Sequence, residues 1–213
     1  MSRILLVRHG ETAWNVEKVF RGRIDIPLNE RGLKQAELLG EHLSDEDIIA
    51  VYSSPLRRAL GTAEEVAKHH GLRVEELVDL DYGEWQGLLH GTVREKYKEL
   101  YEVWLKAPHL VRMLGGESLG DLRKRAIGFV ERVVRRYGDR EGAVVLVSHR
   151  VVNKVLICAL LGLDNSHFWK IKIDTCGITT FAYKGGRFVL VGHNDTCFLR
   201  PVGTAGTCGA GTK

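Results

Sequence analysis

Residues 3–12 read Arg3-Ile4-Leu5-Leu6-Val7-Arg8-His9-Gly10-Glu11-Thr12. Four apolar residues stop abruptly at charge. That pattern is a buried strand ending at a sheet edge, and open α/β sheets bind their ligands just beyond the carboxyl ends of the strands. Arg8 carries a planar fork of donors suited to an oxyanion, and His9 can serve as nucleophile or proton carrier. Gly10 lets the backbone turn sharply and approach a small ligand. One such end says little, but the chain has two more. The run Ala143–Val147 stops at Ser148-His149-Arg150, and Ile48–Tyr52 opens into Ser53-Ser54-Pro55-Leu56-Arg57-Arg58. Three strand ends that deliver His or Arg to one edge describe a pocket for a multiply charged anion.

The rest of the chain alternates strands and helices, which predicts a mostly parallel sheet covered on both faces. Asn29 is placed to cap a helix over Glu30–Leu43. Ser54 followed by Pro55 reads as a cap and a first-turn proline. The helix after them carries Ala59, Ala63, Val66 and Ala67 and is expected to end at Gly71; Arg57 falls in its first turn, where free N–H groups favour anions. A further helix is expected over Val93–Leu105. Ser118 and Asp121 have capping-box spacing at the start of the longest helix. An apolar helix over Val151–Leu161 follows His149, and Gly185-Gly186 reads as a two-residue hairpin turn. One domain over residues 1–200 is expected, with residues 201–213 a disordered tail rich in Gly, Thr and Ala.

The segments VRHGETAWN, SSPLRRALGTAE, GGES at Gly115–Ser118 and VSHR occur in the order seen in the histidine phosphatase superfamily, also called phosphoglycerate mutase-like. The resemblance covers Ile4 to about Leu199. It implies an α/β three-layer sandwich with a mostly parallel central sheet flanked by helices. It implies a phosphomonoesterase in which His9 becomes transiently phosphorylated while Arg8, Arg57 and His149 hold the phosphoryl oxygens. A bond from His9 to the Gly10 carbonyl would fix its tautomer. Asn15 matches the family's RHGxTxWN asparagine. Within Val78–Gly87 the family's proton-donating Glu aligns with Asp79, one methylene shorter; Asp81 and Glu84 are the nearby competitors. Arg21 before Gly22, and Arg150 after His149, depart from the family's commonest residues. Both add positive charge near the pocket, which suits a substrate with a carboxylate or second phosphate; pairing with a loop acid is the alternative. Glu117 and Ser118 are expected to line the pocket, Ser118 having helix capping as its other role.

KAPHLVRMLGGESL is similar to metal-independent phosphoserine phosphatases, so phosphoserine is the first expected substrate, with α-ribazole phosphate and phosphoglycerate next. The short stretch between Gly87 and Gly115 favours hydrolysis over the alternative of a phosphoglycerate mutase. A non-catalytic phosphate-binding module is the third reading, and the intact set Arg8, Arg57, His9 and His149 argues against it.

With 31 Lys and Arg against 27 Asp and Glu, the formal net charge is +4, which suits an acidic substrate. The charges interleave along helices, so nucleic acid is not an expected partner. No apolar run approaches the ~20 residues of a membrane span. The chain enters a strand without the basic and apolar regions of a signal peptide, so the expected compartment is the cytosol. Four scattered cysteines form no C-x-x-C pair, and the remaining histidines show no metal-ligand spacing. No metal or cofactor is expected, because guanidinium groups supply the electrostatic stabilisation. The four tryptophans read as packing. The C-terminal strands are candidates for pairing in a homodimer.

Overall fold

The computed structural model describes residues 1–70, 74–76 and 79–202. Gly71, expected to end a helix, and the tail from residue 203 lie outside the described residues. Among the described residues six strands form one sheet: β1 (Arg3–Arg8), β2 (Ile48–Ser53), β3 (Val74–Glu76), β4 (Ala143–Ser148), β5 (Ile178–Lys184) and β6 (Arg187–Asp195). Their spatial order is β3-β2-β4-β1-β5-β6. The β3–β2, β2–β4 and β4–β1 pairs are parallel, while β5 runs antiparallel to β1 and β6 antiparallel to β5. The sheet is thus parallel through its centre, with the Gly185-Gly186 hairpin added at one side.

Both faces of the central strands are buried, which explains their continuous apolar sequences. Ile4 and Leu6 of β1 join Val144 and Leu146 of β4 in one core. Leu5 and Val7 join Val145 and Val147 in the other. Helices α6 (Leu119–Tyr137) and α7 (Arg150–Leu160) cover the first face, through Leu122, Ala126, Phe129, Val152 and Leu156. Helices α2 (Glu30–His42) and α3 (Arg57–His70) cover the second, through Leu39, Ala59, Ala63 and Val66. This is the expected three-layer arrangement. The shorter helices are α1 (Ala13–Val16), α4 (His90–Lys96) and α5 (Lys98–Lys106).

Several local expectations hold. Asn29 caps α2 by accepting from the Gly32 N–H at 2.7 Å. Ser118 caps α6, accepting from Asp121 N at 3.1 Å while the Asp121 carboxylate accepts from Ser118 N at 2.9 Å. Others shift. The single helix expected over Val93–Leu105 is two, broken at Tyr97, whose φ of −125° and ψ of 42° lie outside the helical region. Ser54 accepts from Leu56 N at 3.3 Å in a turn, and α3 begins only at Arg57. Pro201 and Val202, assigned to the tail, belong to a final 3-10 turn, Cys197–Val202.

Candidate active site

Parallel pairing brings the three strand ends into line. Arg8 pairs with Ser148 and Ser53 with Val147. Beyond them, His9 N donates to Ser148 O at 2.9 Å and Ser54 N to Val147 O at 3.2 Å. A cavity of about 510 Å³ opens over this edge, lined among others by Arg8, His9, Asn15, Arg21, Gly22, Asp79, His149 and Arg150. Eight of the expected site residues therefore meet in one place.

At the floor, His9 Nδ1 lies 2.6 Å from the Gly10 carbonyl. Since a carbonyl only accepts, Nδ1 carries the proton and Nε2 keeps its lone pair. The His9 and His149 rings are 5.3 Å apart between centroids. Burial, then the charge of Arg58, pushes both histidines well below the ordinary histidine range, so both are neutral near pH 7. Arg8 donates to Ile173 O at 2.9 Å. Burial, then Arg150 and Arg21, lowers its pKa to about 9, which leaves it charged at neutral pH. The Nε atoms of Arg8 and Arg58 and both ring nitrogens of His149 are buried without a hydrogen bond inside the protein. Such unpaired polar atoms are uncommon in a folded interior unless a ligand meets them.

Asp79 is buried beside this group. Its Oδ2 lies 3.2 Å from Arg58 Nη2 and 3.3 Å from His149 Nδ1, and its Oδ1 accepts from Leu80 N at 2.7 Å. The approach to His149 is close but not aligned as a hydrogen bond, since neither ring nitrogen has one. Burial raises the Asp79 pKa, and it prevails over Arg58, the Leu80 N–H and Arg21, which all favour the anion. A carboxyl that keeps its proton longer than usual is suited to protonating a leaving oxygen. Asn15 accepts from the Thr12 N–H and hydroxyl through one oxygen, at 3.0 and 2.9 Å.

Arg57 is the clearest departure from expectation. Its side chain is 60% exposed and turns away from the cavity to Asp25, with Nε 3.1 Å from Oδ2. The Arg57 N–H also donates to Asp25 Oδ1, at 2.7 Å. The anion at the start of α3 is thus a carboxylate of the chain itself. The buried guanidinium belongs to Arg58, which donates to the carbonyls of Gly22 and Ile24 at 2.7 and 2.8 Å as well as to Asp79. Glu84, Glu117 and Ser118 are likewise not among the cavity-lining residues. Glu84 accepts from the Tyr97 hydroxyl at 2.9 Å, Glu117 pairs with Arg125 at 2.9 Å, and Ser118 caps α6. Asp81 accepts from Gly83 N at 2.8 Å and faces Arg23 at 3.3 Å. Conversely, His90, given no role in the sequence reading beyond a lack of metal-ligand spacing, and Trp14, read there as packing, line the cavity. Burial, with help from Arg150 and Arg21, pushes His90 down to about 4. His90 sits on a short helix far from the strand ends, where its sequence context carries no signal for this, whereas Trp14 lies within VRHGETAWN, close behind His9.

A lone-pair nitrogen on a fixed imidazole, enclosed by guanidinium groups and a protonatable carboxyl, makes this a phosphoryl-transfer site on a doubly covered α/β sheet. The chain belongs to the histidine phosphatase superfamily (branch 1), whose sequence profile matches residues 4–196. It is a hydrolase of phosphate monoesters. It is 40% identical over 202 residues to phosphoserine phosphatase 1 of Hydrogenobacter thermophilus, covering 93% of this chain and 95% of the relative. It is 30% identical over 210 residues to the metal-independent phosphoserine phosphatase of Arabidopsis thaliana, covering 95% of this chain and 85% of the relative. The solved structure of Bacillus stearothermophilus YhfR superposes with a TM-score of 0.86 at 32% identity, covering 93% of this chain and all of that one. No helix among the described residues is long and apolar enough to cross a membrane. Among the same residues, no group of three His, Cys, Asp or Glu side chains is placed to hold a metal ion.

Proposed function

We propose that the chain hydrolyses a small carboxylate-bearing phosphate monoester, phosphoserine first, through a phosphohistidine on His9. The observation that carries this reading is His9 itself, neutral and held by the Gly10 carbonyl at 2.6 Å so that Nε2 is the nucleophilic nitrogen. Nε2 attacks phosphorus as the ester P–O bond breaks, and Asp79 gives its proton to the departing oxygen. Water then attacks phosphorus, Asp79 takes a proton from it, and the P–N bond breaks to restore His9. Arg8, Arg58 and an N–H of His149 stabilise the charge that gathers on the phosphoryl oxygens. Assigning the second guanidinium to Arg58 follows from its position beside Asp79; Arg57 is given no part in the chemistry.

The cavity holds more positive charge than one phosphate needs. Arg21 and Arg150 line it beyond the group around His9, which favours a second anionic substituent on the substrate. Phosphoserine meets that requirement, and the names of the relatives point the same way. The test is a turnover screen of phosphoserine, 3-phosphoglycerate, α-ribazole phosphate and p-nitrophenyl phosphate, with His9→Ala as control. Phosphoserine is expected to give the highest kcat/KM, and an alkaline denaturing quench, in which the P–N bond survives, is expected to trap label from a radiolabelled ester on His9. Mutase turnover exceeding phosphate release, or turnover without labelled histidine, would overturn the reading.

A further inference from the structure

Glu117 and Arg125 sit outside the cavity, yet their contacts run directly to the segment that carries Asp79. Arg125 meets Glu117 through two nitrogens, Nε to Oε1 and Nη2 to Oε2, both at 2.9 Å. The same Nη2 donates to the backbone carbonyl of Asp79 at 2.6 Å. Glu117 Oε2 accepts from Asp81 N at 3.0 Å, and Glu117 N donates to Asp81 O at 2.9 Å. Arg23 closes the ring, 3.3 Å from Asp81 and 3.2 Å from Glu117. Two glycines make the approach feasible: a β-carbon at Gly83 would strike the carbonyl of Leu114, and one at Gly116 would strike that of Asp81. The turn at residues 114–117 and the loop at residues 79–84 therefore pack backbone against backbone, pinned by one bidentate ion pair.

We infer that Glu117 and Arg125 are positioning residues that hold the Asp79 backbone so its short side chain meets the leaving oxygen. A glutamate could correct a misplaced backbone by rotating one more bond. An aspartate has no such slack, so its carboxyl goes where its backbone goes. Misplacement on the ångström scale in an active site costs up to about a hundredfold in rate. The Glu117 carboxylate is suited to the task. Burial disfavours its charge, but Arg125, the Asp81 N–H and Arg23 prevail and hold its pKa below the ordinary carboxylate value.

The inference rests on Asp79 being the proton donor, and its test separates the two ideas. The readout is kcat/KM, which reports only steps up to phosphoenzyme formation, measured for p-nitrophenyl phosphate and for the best alkyl phosphate of the screen. The nitrophenolate departs without needing a proton; an alkoxide needs one. Glu117→Gln is expected to lower kcat/KM for the alkyl ester about tenfold and for the aryl ester less than about twofold. Arg125→Lys, which keeps the charge and loses the fork, should give the same pattern at smaller size. In an Asp79→Asn background Glu117→Gln should add nothing. Equal losses for both esters, or a full additional loss in that background, would mean a general structural role and overturn the inference. If Asp79→Asn discriminates between the esters and Glu117→Gln does not, the inference alone fails. If Asp79→Asn itself treats the esters alike, the proton-donor assignment fails, and the inference goes with it.

Discussion

Replacing Arg58 by Met keeps the stem of the side chain and removes its charge. In the folded protein this guanidinium is 0% exposed, and its partner Asp79 is 7% exposed. Breaking a buried pair by deleting one member costs about 3–5 kcal/mol, because the charge left behind is desolvated and alone. Asp79 relieves part of that cost by keeping its proton, which its raised pKa already favours. The carbonyls of Gly22 and Ile24 also lose their donors, about 1 kcal/mol each. Taking the low end of the pair's cost, with the relief at Asp79 offsetting the two carbonyls, the net loss is about 3 kcal/mol and corresponds to a Tm roughly 6–12 °C lower in a domain of this size. In catalysis, Arg58 is the strongest charged influence on both histidines, and losing one such stabilising group lowers kcat by about 10²–10³. The matched control is Arg57→Met. That side chain is 60% exposed and pairs with an Asp25 that is 45% exposed, so the change should cost under about 1 kcal/mol and leave turnover within about twofold. The assay is kcat/KM on p-nitrophenyl phosphate with a thermal melt of each variant. An Arg57→Met enzyme about a hundredfold slower, or an Arg58→Met enzyme keeping a third of its activity, would refute the assignment.

Two further outcomes follow from the same geometry. His9 and His149 have folded pKa values well below the ordinary 6.5, so the unfolded chain binds their protons first as pH drops. Stability should fall as pH goes down through the ordinary histidine range, by up to about 1.4 kcal/mol per pH unit for each histidine, and His149→Gln should remove one share. Asp79 acts oppositely, its contribution being lost as pH rises through its raised pKa. Urea melts between about pH 5 and 7 check the histidine part, and flat stability there would refute it. At Gly83, φ is +52° and a β-carbon would strike Leu114 O, whereas Gly87, at φ +81°, has only the Ile24 side chain nearby. Gly83→Ala should therefore cost at least about 2 kcal/mol and Gly87→Ala about 1 kcal/mol, read as a difference in melting; equal losses would mean that the 114–117 turn yields.

The sheet was legible because both faces of its central strands are buried. Burial on two sides writes four or five apolar residues in a row, and the polar residues that end each run mark the ligand edge. Caps such as Asn29 and Ser118 were legible because a cap is decided by residues three apart. Side-chain direction was not. Arg57 and Arg58 are adjacent, and a first-turn argument favoured Arg57. The spacing of Ala59, Thr62, Ala63 and Val66 on the buried face of α3 does place Arg58 inward, so a signal existed in the helical period. Glu117 was placed in the pocket because its neighbours resemble a pocket motif. Its actual direction depends on Arg125, in the second turn of α6, and on a loop more than thirty residues away in sequence. His90 lines the cavity only through where α4 sits in the fold, a tertiary fact with no local trace, whereas Trp14 belongs to the VRHGETAWN segment behind His9.

Pairing of Arg3 with Ala143, and of Ile48 with the same residue, joins stretches that lie far apart along the polypeptide. Such closures are slow, because loop entropy is lost before any contact rewards it. Helices can form early in refolding, but nucleophile, guanidinium and carboxyl become neighbours only when the last parallel crossover docks. Regained turnover should thus trail regained helical circular dichroism, making the enzyme's own rate a clock for completion of its topology.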